Sequence, residues 1–195
     1  MDLFANPKIT GTFRGNNSAS PIAGICTRTA YNRPLKEAKI EADMLIGSAV
    51  TVSNNVSGAQ TTAINAGTNL APTTLIAKAA TDAADGILVY GSNVVLEEGS
   101  TYPSYKANQI GYVALIGSGA EVYLACDNTC IVNNVTNHGL VYDTANNIVK
   151  KGTAGTGLVD LSKCTVLSSV VTGITSTKVG TAVTFKESPV IKIRL

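Results

Sequence analysis

The chain of 195 residues holds one histidine, so any mechanism that needs an imidazole must pass through His138. It lies in Asn137-His138-Gly139, a turn pattern that leads into the apolar run Leu140-Val141-Tyr142. A Ser-His-Asp or Cys-His arrangement needs a base oriented by a third group, and no nucleophile-elbow pattern accompanies this one. His138 therefore reads as a solvent-exposed turn residue. Cys126-Asp127-Asn128-Thr129-Cys130 is a sharper constellation, because Cys164 and His138 could complete a tetrahedral zinc set. Paired zinc ligands usually enclose two residues, whereas three intervene here. A three-residue turn would instead set Cys126 and Cys130 opposite each other at a distance a disulfide can span, although a reducing cytosol opposes its formation. Free, buried or half-buried thiols are expected, with a disulfide ahead of zinc among the alternatives.

Three other segments invite chemistry. Gly152-Thr153-Ala154-Gly155-Thr156-Gly157 has the glycine content of a phosphate-binding loop, but no Lys-Ser/Thr follows, and Leu158-Val159-Asp160-Leu161 is short and strand-like. It is expected to be a flexible loop. Glu97-Glu98 could bind a cation, yet adjacent carboxylates at a strand end are more often solvated. Tyr102-Pro103-Ser104-Tyr105 offers two large rigid faces with polar tips, suited to a contact surface; core packing of Tyr102 and Tyr105 stands as an equal alternative. No cofactor, metal or catalytic residue is expected.

The elements that must position these residues are mostly strands. Gly111-Tyr112-Val113-Ala114-Leu115-Ile116, the turn Gly117-Ser118-Gly119-Ala120 and Glu121-Val122-Tyr123-Leu124-Ala125-Cys126 read as a β-hairpin. So do Ile87-Leu88-Val89-Tyr90 with Val94-Val95-Leu96, and Leu140-Val141-Tyr142 with Ile148-Val149-Lys150 around Asp143-Thr144-Ala145-Asn146-Asn147. Strands are also expected over Gly47–Val52, stopped by Ser53-Asn54-Asn55, and over Thr74–Ala80, ahead of the turn at Asp85-Gly86. The ending Val190-Ile191-Lys192-Ile193-Arg194-Leu195 alternates with period two, placing Ile191, Ile193 and Leu195 on a buried face and Lys192 and Arg194 on the other. Only Leu35–Ile46 combines helix propensity with helical charge spacing, after Pro34, and predicts a short helix or turn. Short strands at this spacing predict an all-β domain, a small barrel or sandwich, over residues 35–195.

Residues 1–34 lack periodicity and are rich in Asn, Gly, Ser, Thr and Pro. They read as an extended N-terminal arm. Phe4, Ile9, Phe13, Ile22 and Ile25 are too dispersed to form a core of their own, so the arm is expected to dock them on the body or on a partner, a disordered tail being the alternative.

Composition narrows the function. The chain is 45% hydrophobic but only 14% charged, against roughly 25% in average soluble proteins. Thr, Asn, Ser and Gly cover the surface instead, which suits a protein that works in contact with something. A net charge of +2, with no basic run and no Trp, disfavours nucleic acid. No apolar run approaches ~18 residues, and Met1-Asp2-Leu3-Phe4-Ala5-Asn6-Pro7 lacks the basic and apolar regions of a signal peptide. The expectation is a protein made in a cytoplasm, without a membrane partner.

The order of segments also carries a resemblance. Gly47-Ser48-Ala49-Val50, Asp85-Gly86-Ile87-Leu88-Val89-Tyr90, the stretch from Gly111 to Val122 ending Gly119-Ala120-Glu121-Val122, Gly139-Leu140-Val141-Tyr142-Asp143, and Val179-Gly180-Thr181-Ala182-Val183-Thr184-Phe185 leading to Pro189-Val190-Ile191-Lys192-Ile193-Arg194-Leu195 follow in sequence. Over roughly residues 41–195 this resembles the small β-rich capsid decoration, or cement, proteins of tailed bacteriophages. The resemblance implies a non-enzymatic virion protein on the outer capsid surface. It would bridge neighbouring copies of the major capsid protein, with homo-oligomers on the lattice. A β-structured recognition module, carbohydrate-binding or fibre-like, is the runner-up; it would want exposed aromatics, and aromatics are only 5% of this chain.

Overall fold

The protein is described here by a computed structural model that covers residues 13–14, 21–29, 35–55, 74–90, 95–96, 102–130, 139–179 and 182–195. Its strands are β1 (Phe13–Arg14), β2 (Cys26–Arg28), β3 (Lys36–Ile40), β4 (Met44–Leu45), β5 (Ala49–Asn55), β6 (Thr74–Ala79), β7 (Gly86–Val89), β8 (Val95–Leu96), β9 (Ser104–Tyr105), β10 (Ile110–Leu115), β11 (Glu121–Ala125), β12 (Leu140–Asp143), β13 (Ile148–Lys151), β14 (Leu158–Asp160), β15 (Thr165–Val166), β16 (Val171–Val179) and β17 (Ala182–Arg194). Among the described residues a single 3-10 turn, Asn128–Cys130, interrupts them. The all-β expectation holds.

Five strands close into a barrel in the order β10-β3-β6-β5-β7. Every pairing is antiparallel except β3 with β6, where Lys39 faces Ile76. Period two decides what fills it: Ala38 and Ile40, Val50, Ala77, Leu88 and Val113 pack together with almost no exposure, and Ile22, Ile25, Met44, Ile46, Tyr102 and Tyr105 complete that core.

Against this barrel lies a sheet in the order β15-β17-β11-β2, with β16 also on β17, and a three-stranded sheet β13-β12-β14. Their apolar faces form a second core with Ala49, Ile87, Val89 and Ala114 from the barrel. β7 is therefore buried on both faces: Leu88 points into the barrel core and Ile87 and Val89 into the second. A continuous Gly-Ile-Leu-Val run is what such a strand requires. Strand β17 ends as expected, with Ile191, Ile193 and Leu195 buried.

The structure corrects several expectations. Residues 36–40 are strand β3, not helix: Ala38 and Ile40 turn inward, and the partners β10 and β6 override local propensity. The charge spacing that mimics a helix belongs to the strand's outer side and beyond, where Glu41 reaches across to Lys78 at 2.7 Å. The segments 111–116 and 121–126 do not pair as a hairpin. Both edges of β10 are taken, by β3 and β7, and both edges of β11, by β2 and β17. The glycine turn, with left-handed backbone at Gly117 and Gly119, instead carries the chain from barrel to second sheet. In the same way β7 pairs with β5 and β10, and β8 with β1. The β12–β13 hairpin does form, with Asp143 opposite Ile148. Strand β5 runs on through Ser53-Asn54-Asn55, which pair with Ile76, Leu75 and Thr74.

Residues 21–28, expected in an arm that docks on the body or on a partner, are built into the body. Ile22 and Ile25 are fully buried in the barrel core. This segment is the seam of the molecule. Ala23 N donates to Ile174 O at 2.8 Å, Gly24 N to Tyr123 O at 2.7 Å and Cys26 N to Tyr90 O at 2.9 Å, so it ties β16, β11 and the end of β7 together. Backbones approach so closely here that a Cβ on Gly24, whose φ is +86°, would lie 2.5 Å from Gly47 N.

Candidate functional site

Of the residues expected to meet a partner, Phe4 and Ile9 lie outside the described residues. Phe13 stands in β1, opposite Leu96. Ile22 and Ile25 belong to the core, and their burial removes them from any contact surface. Tyr102 and Tyr105 resolve toward core packing. The Tyr102 hydroxyl donates to Ala23 O, that of Tyr105 to Val89 O at 3.2 Å, and the Tyr105 ring stacks on Tyr90 with centroids 4.6 Å apart. Burial pushes both phenols up in pKa. Each hydroxyl thus finds a carbonyl acceptor within an apolar core.

What remains outside is different. Among the described residues, the exposed large hydrophobics are Ile110 at 52%, Tyr112 at 40% and Val171 at 38%. Ile110 and Tyr112 share the outer face of β10, opposite Lys39 and Glu37 of β3. The loop before β10 fixes their start: the Asp43 carboxylate accepts from Lys106 Nζ at 2.8 Å and Ala107 N at 2.9 Å, and Asn108 turns with φ 70°. The alternation Ile110, Gly111, Tyr112, Val113 carries this signal in the sequence; reading the segment as half of a hairpin hid it.

Val171 begins the second surface feature. β16 and β17 pair along their whole length, from Val171 opposite Val190 to Val179 opposite Ala182. At the base, β11 holds Val190–Arg194 and Ile22 bridges to Ile174. Beyond Ile174 the two strands continue as a ribbon for five more residues of β16, about 16 Å at ~3.3 Å per residue.

A charged cluster sits on the outer face of the second sheet. Glu121, 9% exposed in its side chain, holds Lys192 and Arg194 at 2.8 Å each and Arg28 at 3.7 Å. The hydrogen bonds from Lys192 and Arg194 keep its carboxyl below the usual range. Asp143 does comparable work in the β12–β13 loop: it accepts from Lys150 Nζ at 2.6 Å and from Ala145 and Asn146 N, and its pKa falls to about 2. Both carboxylates order their surroundings.

The remaining candidates are placed as follows. His138 and Glu97-Glu98 lie outside the described residues. Gly155 and Leu158 exchange two backbone hydrogen bonds, 2.8 and 3.1 Å, and Gly157 N donates to Asp82 Oδ1 at 2.8 Å, so the glycine segment is a pinned turn leading to strand β14. Cys26, Cys126, Cys130 and Cys164 are free thiols, all buried in the second core. No helix among the described residues is long and apolar enough to cross a membrane. Comparison of the chain with protein-family models, curated proteins and solved structures finds no match.

Proposed function

We propose that the protein decorates the outside of a bacteriophage capsid, stabilising contacts between neighbouring major capsid proteins and acting by contact without catalysis. The observation that carries this reading is the β16–β17 ribbon, anchored in the body at its base, with Phe185 packed against the barrel core, and paired on to Val179 opposite Ala182. Paired strands that run on from a body in this way suit contact with a neighbouring molecule. Support also comes from the face of β10, where Ile110 and Tyr112 present apolar surface on an otherwise weakly charged protein. Flat contacts of this type are individually weak and gain from several acting together, so a repeating lattice is a better partner than a free subunit.

The test is sedimentation with undecorated capsid shells and, separately, with soluble major capsid subunits. The protein should pellet with shells and stay unbound with subunits. A ribbon-shortened variant with Asn-Gly in place of residues 177–184, which keeps Phe185 on the barrel core, and the double substitution Ile110→Ser with Tyr112→Ser, should keep the parent fold and lose shell retention. Equal affinity for shells and subunits would count against the lattice reading, and binding to glycans with none to shells would favour a recognition module.

A further inference from the structure

The four thiols of the second core are not equivalent. Cys26 donates to Arg28 O at 3.3 Å. Burial pushes its pKa up and takes that of Cys164 to about 11. Cys126 and Cys130 meet at Val149: Cys126 bridges to it in the backbone, and Cys130 Sγ donates to its carbonyl at 3.1 Å. The backbone makes this meeting unavoidable. Cys126 N is fixed on Pro189 O at 3.0 Å, the chain reverses at Asp127, and Cys130 N returns to Asp127 O at 3.2 Å. The Asp127 carboxylate holds the turn by accepting from Thr129 N at 2.9 Å.

We infer that Cys126 and Cys130 form a reversible modification site, a dithiol that closes to a disulfide by exchange with a small-molecule disulfide of the oxidised-glutathione class. Cys130 lies in the turn, and the neighbouring Cys126 thiol holds its pKa down while that of Cys126 is held up, so Cys130 is the attacking thiolate. It attacks one sulfur of oxidised glutathione, the glutathione S–S bond breaks, and the departing glutathione thiolate takes up the proton that Cys130 lost. Cys126 then gives up its proton and attacks the Cys130 sulfur. This breaks the mixed disulfide, and the second glutathione leaves with that proton. Two protein thiols are oxidised by two electrons, and one glutathione disulfide is reduced to two glutathione thiols.

The fold tolerates the product. Cys130 Sγ donates to Val149 O at 3.1 Å, a bond lost on oxidation. Val149 O also accepts from Asp127 N at 3.1 Å, so the carbonyl keeps a donor. Access requires only that a turn of three residues open, a local event far less costly than global unfolding. Cys26 lies in β2 and Cys164 between β14 and β15, outside this turn.

The experiment incubates the reduced full chain with glutathione buffers of rising oxidised fraction, quenches in acid and alkylates with N-ethylmaleimide in denaturant. Alkylation should fall from all four cysteines to two in one step. Trypsin assigns the pair, because no Lys or Arg lies between Lys106 and Lys150, and Cys26 and Cys164 fall on other peptides. Cys126→Ser should stop at a glutathione adduct on Cys130, and Cys130→Ser should react at least ~10-fold more slowly than the parent. If either variant fails to fold, the parent's peptide map decides alone. The proposal is overturned if all four cysteines stay alkylatable under buffers that oxidise dithiothreitol, if the lost pair includes Cys26 or Cys164, or if a folded Cys130→Ser variant reacts as fast as the parent.

Discussion

At the scale of single residues, alternation alone distinguishes Ile193 from Arg194, and the structure adds what Arg194 holds. Ile193 is fully buried in the second core. Ile193→Asp would leave an unpaired carboxylate there, at several kcal/mol against a domain stability of about 5–15 kcal/mol, so the chain should not fold, as circular dichroism would show. By alternation Arg194 reads as a tolerant surface site. Its guanidinium instead lies 2.8 Å from the buried Glu121, so Arg194→Gln should fold and Arg194→Asp should cost markedly more. Equal melting temperatures for the Gln and Asp variants would show that the pairing does not matter. Asp143 provides a pH test. Its pKa is depressed from 3.8 to about 2 by Lys150 and the loop donors. Its stabilisation is therefore present above pH ~4, the unfolded value, and is lost as pH falls through about 2. At about 1.4 kcal/mol per unit this is on the order of 2 kcal/mol. Denaturant midpoints between pH 5 and 2 should fall less steeply in Asp143→Asn than in the parent. The Arg194–Glu121 pair was not legible in the sequence, because the two residues are 73 positions apart and meet only through strand register.

At the scale of elements, local signals were readable and pairings were not. The β12–β13 hairpin was legible because its turn residues and both strands lie within one short stretch, and the C-terminal strand because its period is unbroken. Turn chemistry at Gly117-Ser118-Gly119 announces that the chain bends; it carries no information on which edges are vacant, and β10 and β11 were already committed to other neighbours. Residues 21–28 show the opposite difficulty. Ile22 and Ile25 face one core without a strand period between them, because Ala23 and Gly24 are spent on bridging two layers. This segment should be indispensable: deletion of residues 1–28 should abolish the cooperative melt. Gly24→Ala isolates the cause, since its Cβ meets Gly47 and Ile46 backbone at 2.5 Å with φ at +86°. It should cost at least about 2 kcal/mol, read as a lowered denaturant midpoint. A Gly24→Ala midpoint within error of the parent would mean that the seam can slacken without penalty.

At the scale of the whole molecule, the barrel and the second sheet are two cores with one wall in common. The class was legible because short alternating runs and glycine-rich turns recur along the chain; closure of the barrel depends on the parallel β3–β6 pairing, which no local pattern encodes. The shared wall has a consequence for how the protein comes apart. Loosening the barrel strips Leu88 of its neighbours, and peeling away the outer sheet strips Ile87 and Val89, so neither core can be lost while β7 keeps its place. Calorimetric and van't Hoff enthalpies should therefore agree within error, as for a single transition. In deuterated buffer the β7 amides, with Leu88 N on Ser48 O at 2.9 Å, should be the last to take up label, at a rate set by global opening. A body clamped along its middle in this way yields all at once or not at all.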